Sequence, residues 1–162
     1  MKKLSLSLYY QSYFLLNLFM ALVFELLIES FGIMGAYLPN FIMCVVFSFA
    51  FLKPVPIWLV ALGVVIGESF FSTTPALMTV LILIGYKFVT INCKNSNAQQ
   101  RNFNFIIYML IGMVIYSTKI LWLYATEQRP EVSLMIIKML VTIILFPIFY
   151  LITEKNLRYL NA

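Results

Sequence analysis

Five ionisable side chains fall inside stretches that are otherwise apolar: Glu25, Glu29, Glu68, Lys119 and Lys138. An ionised group at mid-membrane costs about 2.5–3.5 kcal/mol even on the lenient insertion scale, so each needs a partner or a wet cavity. At ~1.5 Å of rise per residue, Glu25 lies about 20 Å into its stretch, Glu68 about 18 Å, Lys119 about 24 Å, and Lys138 about two turns from the outer end. All five then fall in the outer half of the membrane, and Glu25 and Glu29, spaced i, i+4, share a helix face. Three acids and two bases at one level predict a shared polar cluster facing the bundle interior. Three kinds of chemistry suit it. The ion pairs fix helix packing, or Glu29 and Lys138 reach separately to the outer interface, or the cluster works on a charged ligand or relays protons.

The missing side chains narrow the choice. The chain has no His and no Asp. That excludes imidazole-built zinc or haem sites, Ser–His–Asp triads, paired-Asp proteases and Asp-held magnesium. No catalytic residue, metal or cofactor is expected, and the protein reads as a non-enzyme. Cys44 and Cys93 cannot make a disulfide framework and read as reduced, structural thiols.

The elements that would position the charges follow from hydropathy. The chain is 63% hydrophobic and only 10% charged, with a mean hydropathy of +0.97, which places it among membrane proteins. A spanning helix takes roughly 20 apolar residues, so six of them fill residues 1–162 as one domain. The expected spans are Tyr10–Ile33, Leu38–Leu52, Val55–Phe71, Pro75–Ile91, Phe103–Ala125 and Val132–Ile152. The second and third are short enough that one of them could be re-entrant. The start, Met1-Lys2-Lys3 before a long run carrying Glu25 and Glu29, reads as a retained first span and not a cleaved signal. Pro39, Pro54, Pro56, Pro75 and Pro130 fall at span ends, where a missing N–H is tolerated. Pro147 lies inside the last span and should kink it unless neighbours compensate.

Charge fixes the orientation. With the N-terminus in the cytoplasm, the inner side carries Lys2, Lys3, Lys53, Lys87, Lys94, Arg101, Lys155 and Arg158. The outer side carries only Arg129, between Glu127 and Glu131. This positive-inside bias predicts an even number of spans with both termini cytoplasmic. The net charge of +5 is scattered over several loops, so it reads as an orientation signal facing anionic lipid and not as a nucleic-acid surface. The segment 92–102, NCKNSNAQQRN, is the expected cytoplasmic loop and contact surface. Gly63 and Gly67 form a G-x-x-x-G pair that permits close helix approach. Tyr9, Tyr10, Tyr37, Trp58, Tyr86, Tyr124, Tyr150 and Tyr159 read as interface anchors.

The central stretch carries a resemblance. Leu38-Pro39-Asn40 opens the second span and Phe51-Leu52-Lys53-Pro54 closes it. Gly63, Val65-Ile66-Gly67-Glu68 and Ser72-Thr73-Thr74-Pro75 follow. Together these resemble the bacterial rod shape-determining MreD family over roughly residues 35–90, with Phe146-Pro147 and Tyr150 fitting its last span. Glu68 stands where that family usually has Asp. The resemblance carries over only to Pro39, Asn40, Pro54, Gly67, Glu68 and Pro75. It implies a multi-pass protein of the bacterial inner membrane, in the cell-elongation complex that makes rod-shaped peptidoglycan. It implies an MreC-like periplasmic scaffold, an MreB-like cytoskeleton and peptidoglycan synthases as partners. It also implies kinship in fold with the substrate-binding subunits of ECF-type transporters. The alternative function is therefore a small-ligand binding subunit of a membrane transporter, using the outer-half cluster.

Overall fold

The computed structural model describes residues 2–30, 39–71, 74–93, 101–126 and 131–161. These form six helices: α1 (Lys2–Glu29), α2 (Phe41–Leu52), α3 (Ile57–Phe71), α4 (Pro75–Asn92), α5 (Arg101–Ala125) and α6 (Val132–Asn161). No strand occurs among the described residues. Four helices, α1, α4, α5 and α6, are long and apolar enough to cross a membrane. Their outward faces carry large apolar side chains such as Leu16, Phe19, Ile84, Leu110, Leu121 and Ile144. This is the build of a helical membrane protein.

The remaining two helices are shorter, with 12 residues in α2 and 15 in α3. At ~1.5 Å per residue, α2 extends only about 18 Å against a hydrocarbon core of about 30 Å. It is held inside the protein. Every residue from Ile42 to Phe51 is buried, and α1, α3, α4 and α6 pack around it. A helix buried within the protein must have its end groups satisfied by protein, because buried backbone groups left without hydrogen bonds are costly. Here Asn40 and Glu25 serve the start. At the other end Lys53 N–H donates to Phe49 O, and Tyr86 Oη bonds both the N–H and the C=O of Val55 at 2.8 and 2.6 Å.

Aromatic rings set the spacing around α2. Phe49 meets Phe14 of α1 edge-on at 5.1 Å, and Phe47 meets Tyr108 of α5 edge-on at 5.5 Å. Phe51 packs against Phe146 of α6, which stacks on Tyr108 at 3.6 Å. Lipid tails are as apolar as Leu, so such packing, and not water exclusion, holds the helices together. Gly63 and Gly67 let α3 approach its neighbours: a side chain at Gly63 would run into Leu18 of α1, and one at Gly67 into Ile42 of α2.

The observed boundaries differ from the expected ones where polar residues continue a helix. α1 begins at Lys2, well before Tyr10. α6 runs through Pro147 without a break and on to Asn161, so the expected tail after Ile152 is helical. Glu154 explains that extension: it receives Arg158 one turn later at 2.6 Å and Arg101 at the start of α5 at 3.1 Å. Asn92 belongs to α4, and Arg101 and Asn102 to α5, which shortens the expected loop; its residues 94–100 lie outside those described. Pro75 takes the first position of α4, as its missing N–H favours. Pro54 and Pro56 lie in the connection before α3. Tyr37, Glu127, Arg129 and Pro130 lie outside the described residues.

Candidate functional site

The buried polar side chains of Glu25, Asn40, Glu68 and Thr142 converge on the N-terminus of α2, and the sequence explains why. Asn40 follows Pro39, which cannot donate a backbone hydrogen bond, and precedes an uninterrupted apolar run. It is the N-cap, with extended backbone, and its Oδ1 accepts from Met43 N–H at 2.7 Å. Its remaining groups are used as well. Asn40 Nδ2 donates to Glu68 Oε1 of α3 at 2.8 Å, and Asn40 N–H donates to Thr142 Oγ1 of α6 at 2.9 Å. Its carbonyl accepts from Cys44 N–H at 3.2 Å. One residue thereby joins α2, α3 and α6.

Glu25 of α1 completes the cap. Its Oε1 accepts from Phe41 N–H at 2.6 Å and faces Ile42 N–H at 3.4 Å. A helix N-terminus presents free N–H groups and the positive end of the helix dipole, so a carboxylate there is favoured. Glu25 and Glu68 are 5% and 2% exposed, buried enough that they need these donors. Lys138 lies within electrostatic reach of Glu25, and Lys119 within reach of Glu68 and Lys138. Glu25, Glu68, Lys119 and Lys138 thus form one electrostatically linked group. Glu29 closes α1, and its side chain lies outside those described.

Thr142 extends the network. Its hydroxyl donates to Lys138 O at 2.7 Å, which uses its only proton. It follows that Tyr116 donates to Thr142 Oγ1 across the 3.5 Å between them. The same accounting holds for Cys44. Its thiol donates to Thr142 O at 3.5 Å, so Tyr108 Oη donates to the sulfur at 3.6 Å. Thr142, Tyr116 and Tyr108 are neutral side chains within apolar spans, and reading the sequence for charge passes over them. Their signal was only that a hydroxyl in lipid needs a partner.

Among the positions that carry the resemblance, Asn40 and Glu68 bond each other directly, and Gly67 packs beside them against Ile42. Pro39 is buried next to Asn40. Pro54 and Pro75 mark helix ends and do not enter the hub.

A second set of polar contacts gathers at the other end of the bundle, where α2 stops. Besides the Arg101–Glu154–Arg158 group, Asn104 Nδ2 donates to Tyr150 Oη at 3.3 Å and Asn156 Nδ2 to Tyr13 Oη at 2.7 Å. Lys53 sits over the ring of Tyr10 at 4.6 Å. Tyr10, Tyr86 and Tyr150 are buried. Their expected role as interface anchors gives way to internal ones, because their hydroxyls or ring faces meet groups that the bundle would otherwise leave unsatisfied. Tyr9, Trp58, Tyr124 and Tyr159 remain exposed near helix ends, as anchors require.

No protein-family model, no curated protein and no solved structure matches this chain. Its chemistry must be argued from the geometry. The hub's carboxylates accept from main-chain and amide donors of the protein, and its hydroxyls donate to a backbone carbonyl, to a sulfur and to one another. What this arrangement does is fix the start of a short buried helix against three others.

Proposed function

We propose that this chain is a non-enzymatic scaffold of the bacterial inner membrane, acting in the cell-elongation complex and binding partner membrane proteins through its outer surface. In this reading it spans the membrane six times with both termini in the cytoplasm, so the Lys53 end faces inward and the Asn40 hub lies in the outer half. The partners would be those the MreD resemblance implies: an MreC-like scaffold, an MreB-like cytoskeleton and peptidoglycan synthases. The observation that carries the reading is the Asn40–Glu68 hydrogen bond at 2.8 Å. Two positions that carry the resemblance from separate motifs meet in one contact, at the point where α2 is locked in place. A rigid bundle with apolar outer faces suits helix-to-helix docking in lipid.

The alternative, a small-ligand subunit of a transporter, has the same hub as its foothold, with Lys119 and Lys138 as the groups for an anionic ligand. It ranks second because Glu25 and Glu68 already accept protein donors.

Depletion of the protein in its own host, with cell width followed by microscopy, tests the proposal. Rods that swell and round up, and recover with the wild-type copy, are the expected result. Unchanged width on full depletion overturns it.

A further inference from the structure

α4 and α5 diverge on the outside of the bundle and leave a groove of about 690 Å³ between them. Its walls are Ile84, Phe88, Ile106, Leu110 and Val114, and its floor is Gly85. A side chain at Gly85 would meet Phe47 and Ile111, so the glycine keeps the floor low. Polar character appears at one end only, at Asn92 and Cys93.

The groove's length selects its occupant. Along α5 it runs from Phe103 to Ile115, which at ~1.5 Å per residue is about 18 Å. That is a little more than one leaflet of a hydrocarbon core about 30 Å thick, and well short of both. An acyl chain entering from one leaflet matches this length, whereas a partner helix crossing the whole core would run well past both ends of the groove.

Charge selects the headgroup. The groove's polar end, at Asn92 and Cys93, lies toward the end of the bundle where α2 stops. The helix ends on that side carry Lys53, Lys87, Arg101, Lys155 and Arg158, and among the described residues the acid there is Glu154, already shared by Arg101 and Arg158. Lys119 and Lys138, by contrast, lie at the other end beside Glu25 and Glu68. We propose that one acyl chain of an anionic glycerophospholipid occupies the α4–α5 groove, with its headgroup at the basic end of the bundle.

The full-length protein, reconstituted in bilayer nanodiscs of equal phosphatidylglycerol and phosphatidylcholine, provides the test by native mass spectrometry after release. The expected wild-type result is one retained lipid, with phosphatidylglycerol at least fivefold over phosphatidylcholine. Leu110→Trp and Ile84→Trp, both at exposed positions of the groove, should each cut retention about tenfold. Leu121→Trp, exposed on α5 beyond the groove, should not. Thermal unfolding separates loss of lipid from loss of fold. Folded groove variants that keep the lipid would overturn the site, and equal retention of the two lipids would overturn the anionic headgroup. A retained polypeptide in place of lipid would overturn the proposal in favour of a partner helix.

Discussion

Asn40 donates its side-chain amide to Glu68 at 2.8 Å while its own Oδ1 caps α2 through Met43 N–H at 2.7 Å. The two jobs use opposite ends of one amide, and substitutions separate them. Asn40→Ala removes both. The lost cap costs about 1 kcal/mol, and a buried carboxylate deprived of its donor about 1.5–3 kcal/mol more. Asn40→Asp keeps the cap but sets a second carboxylate against Glu68. Thermal unfolding in detergent at neutral pH should rank wild type above Asn40→Ala, and Asn40→Ala above Asn40→Asp. Acidification, which returns an O–H donor to the acid pair, should recover part of the Asn40→Asp loss. A fully stable Asn40→Asp protein at neutral pH would contradict the assigned amide orientation.

Glu25 acts on α2 from outside its sequence. Glu25→Gln retains an oxygen for Phe41 N–H and gives up the charge at the helix dipole, a loss of about 1–2 kcal/mol. Glu25→Ala leaves buried N–H groups unpaired at about 1–3 kcal/mol each. Both variants remove the acid that interacts electrostatically with Lys138, so the difference between them reports on the N–H groups alone. Denaturation in mixed micelles should show the alanine variant about 2 kcal/mol below the glutamine variant. Equal stabilities would mean that the carboxylate does not cap α2.

These contacts show what the sequence could and could not disclose. The charges were legible because a charge in an apolar stretch stands out, and their common depth follows from rise per residue alone. Their meeting through Asn40 was not legible, since facing direction depends on helix rotation and apolar-all-round helices carry no stripe to fix it. The burial of α2 on all sides was hidden for the same reason. Hydropathy reads Leu38–Leu52 as lipid-compatible and cannot tell lipid on all sides from protein on all sides. The extension of α6 to Asn161 rests on Glu154, which pairs across helices with Arg101, a contact between residues 53 apart in the chain.

Tyr86 guards the other end of α2. Its hydroxyl serves both the N–H and the C=O of Val55, the buried residue of a connection whose Lys53 and Pro54 are exposed. Tyr86→Phe leaves the ring in place and both backbone groups unsatisfied. The expected loss is about 2 kcal/mol. If Tyr86 were an interface anchor, Phe would be nearly neutral. Urea unfolding of the two proteins distinguishes these outcomes.

The glycines give a paired comparison within the same bundle. Gly67→Ala adds a methyl where Ile42 already sits, and overpacking of this kind costs about 1–3 kcal/mol. Gly112→Ala adds one where the nearest atoms, on Ile143 and Met43, stand at 3.6 Å, an ordinary contact. There alanine's helix preference, up to about 1 kcal/mol, should prevail. Gly67→Ala should therefore lower the unfolding midpoint and Gly112→Ala hold or raise it. The opposite order would show that α3 does not pack against α2 at Gly67.

The two thiols report on burial in one experiment. Cys44 is wholly buried, with its sulfur between Tyr108 and Thr142, whereas Cys93 follows α4 and is partly exposed. Maleimide should label Cys93 alone in the folded protein, and both in denaturant. The thiolate is the reacting form, and a free thiol has a pKa of about 8.5. Burial pushes the Cys93 thiol above its ordinary value. At pH 7 it should then hold less thiolate than glutathione and react more slowly. Its rate should keep climbing with pH after that of glutathione has levelled. A Cys93 rate that levels with or before glutathione would require a positive charge beside the sulfur. Rapid folded-state labelling of Cys44 would mean that the α2–α5–α6 contact opens.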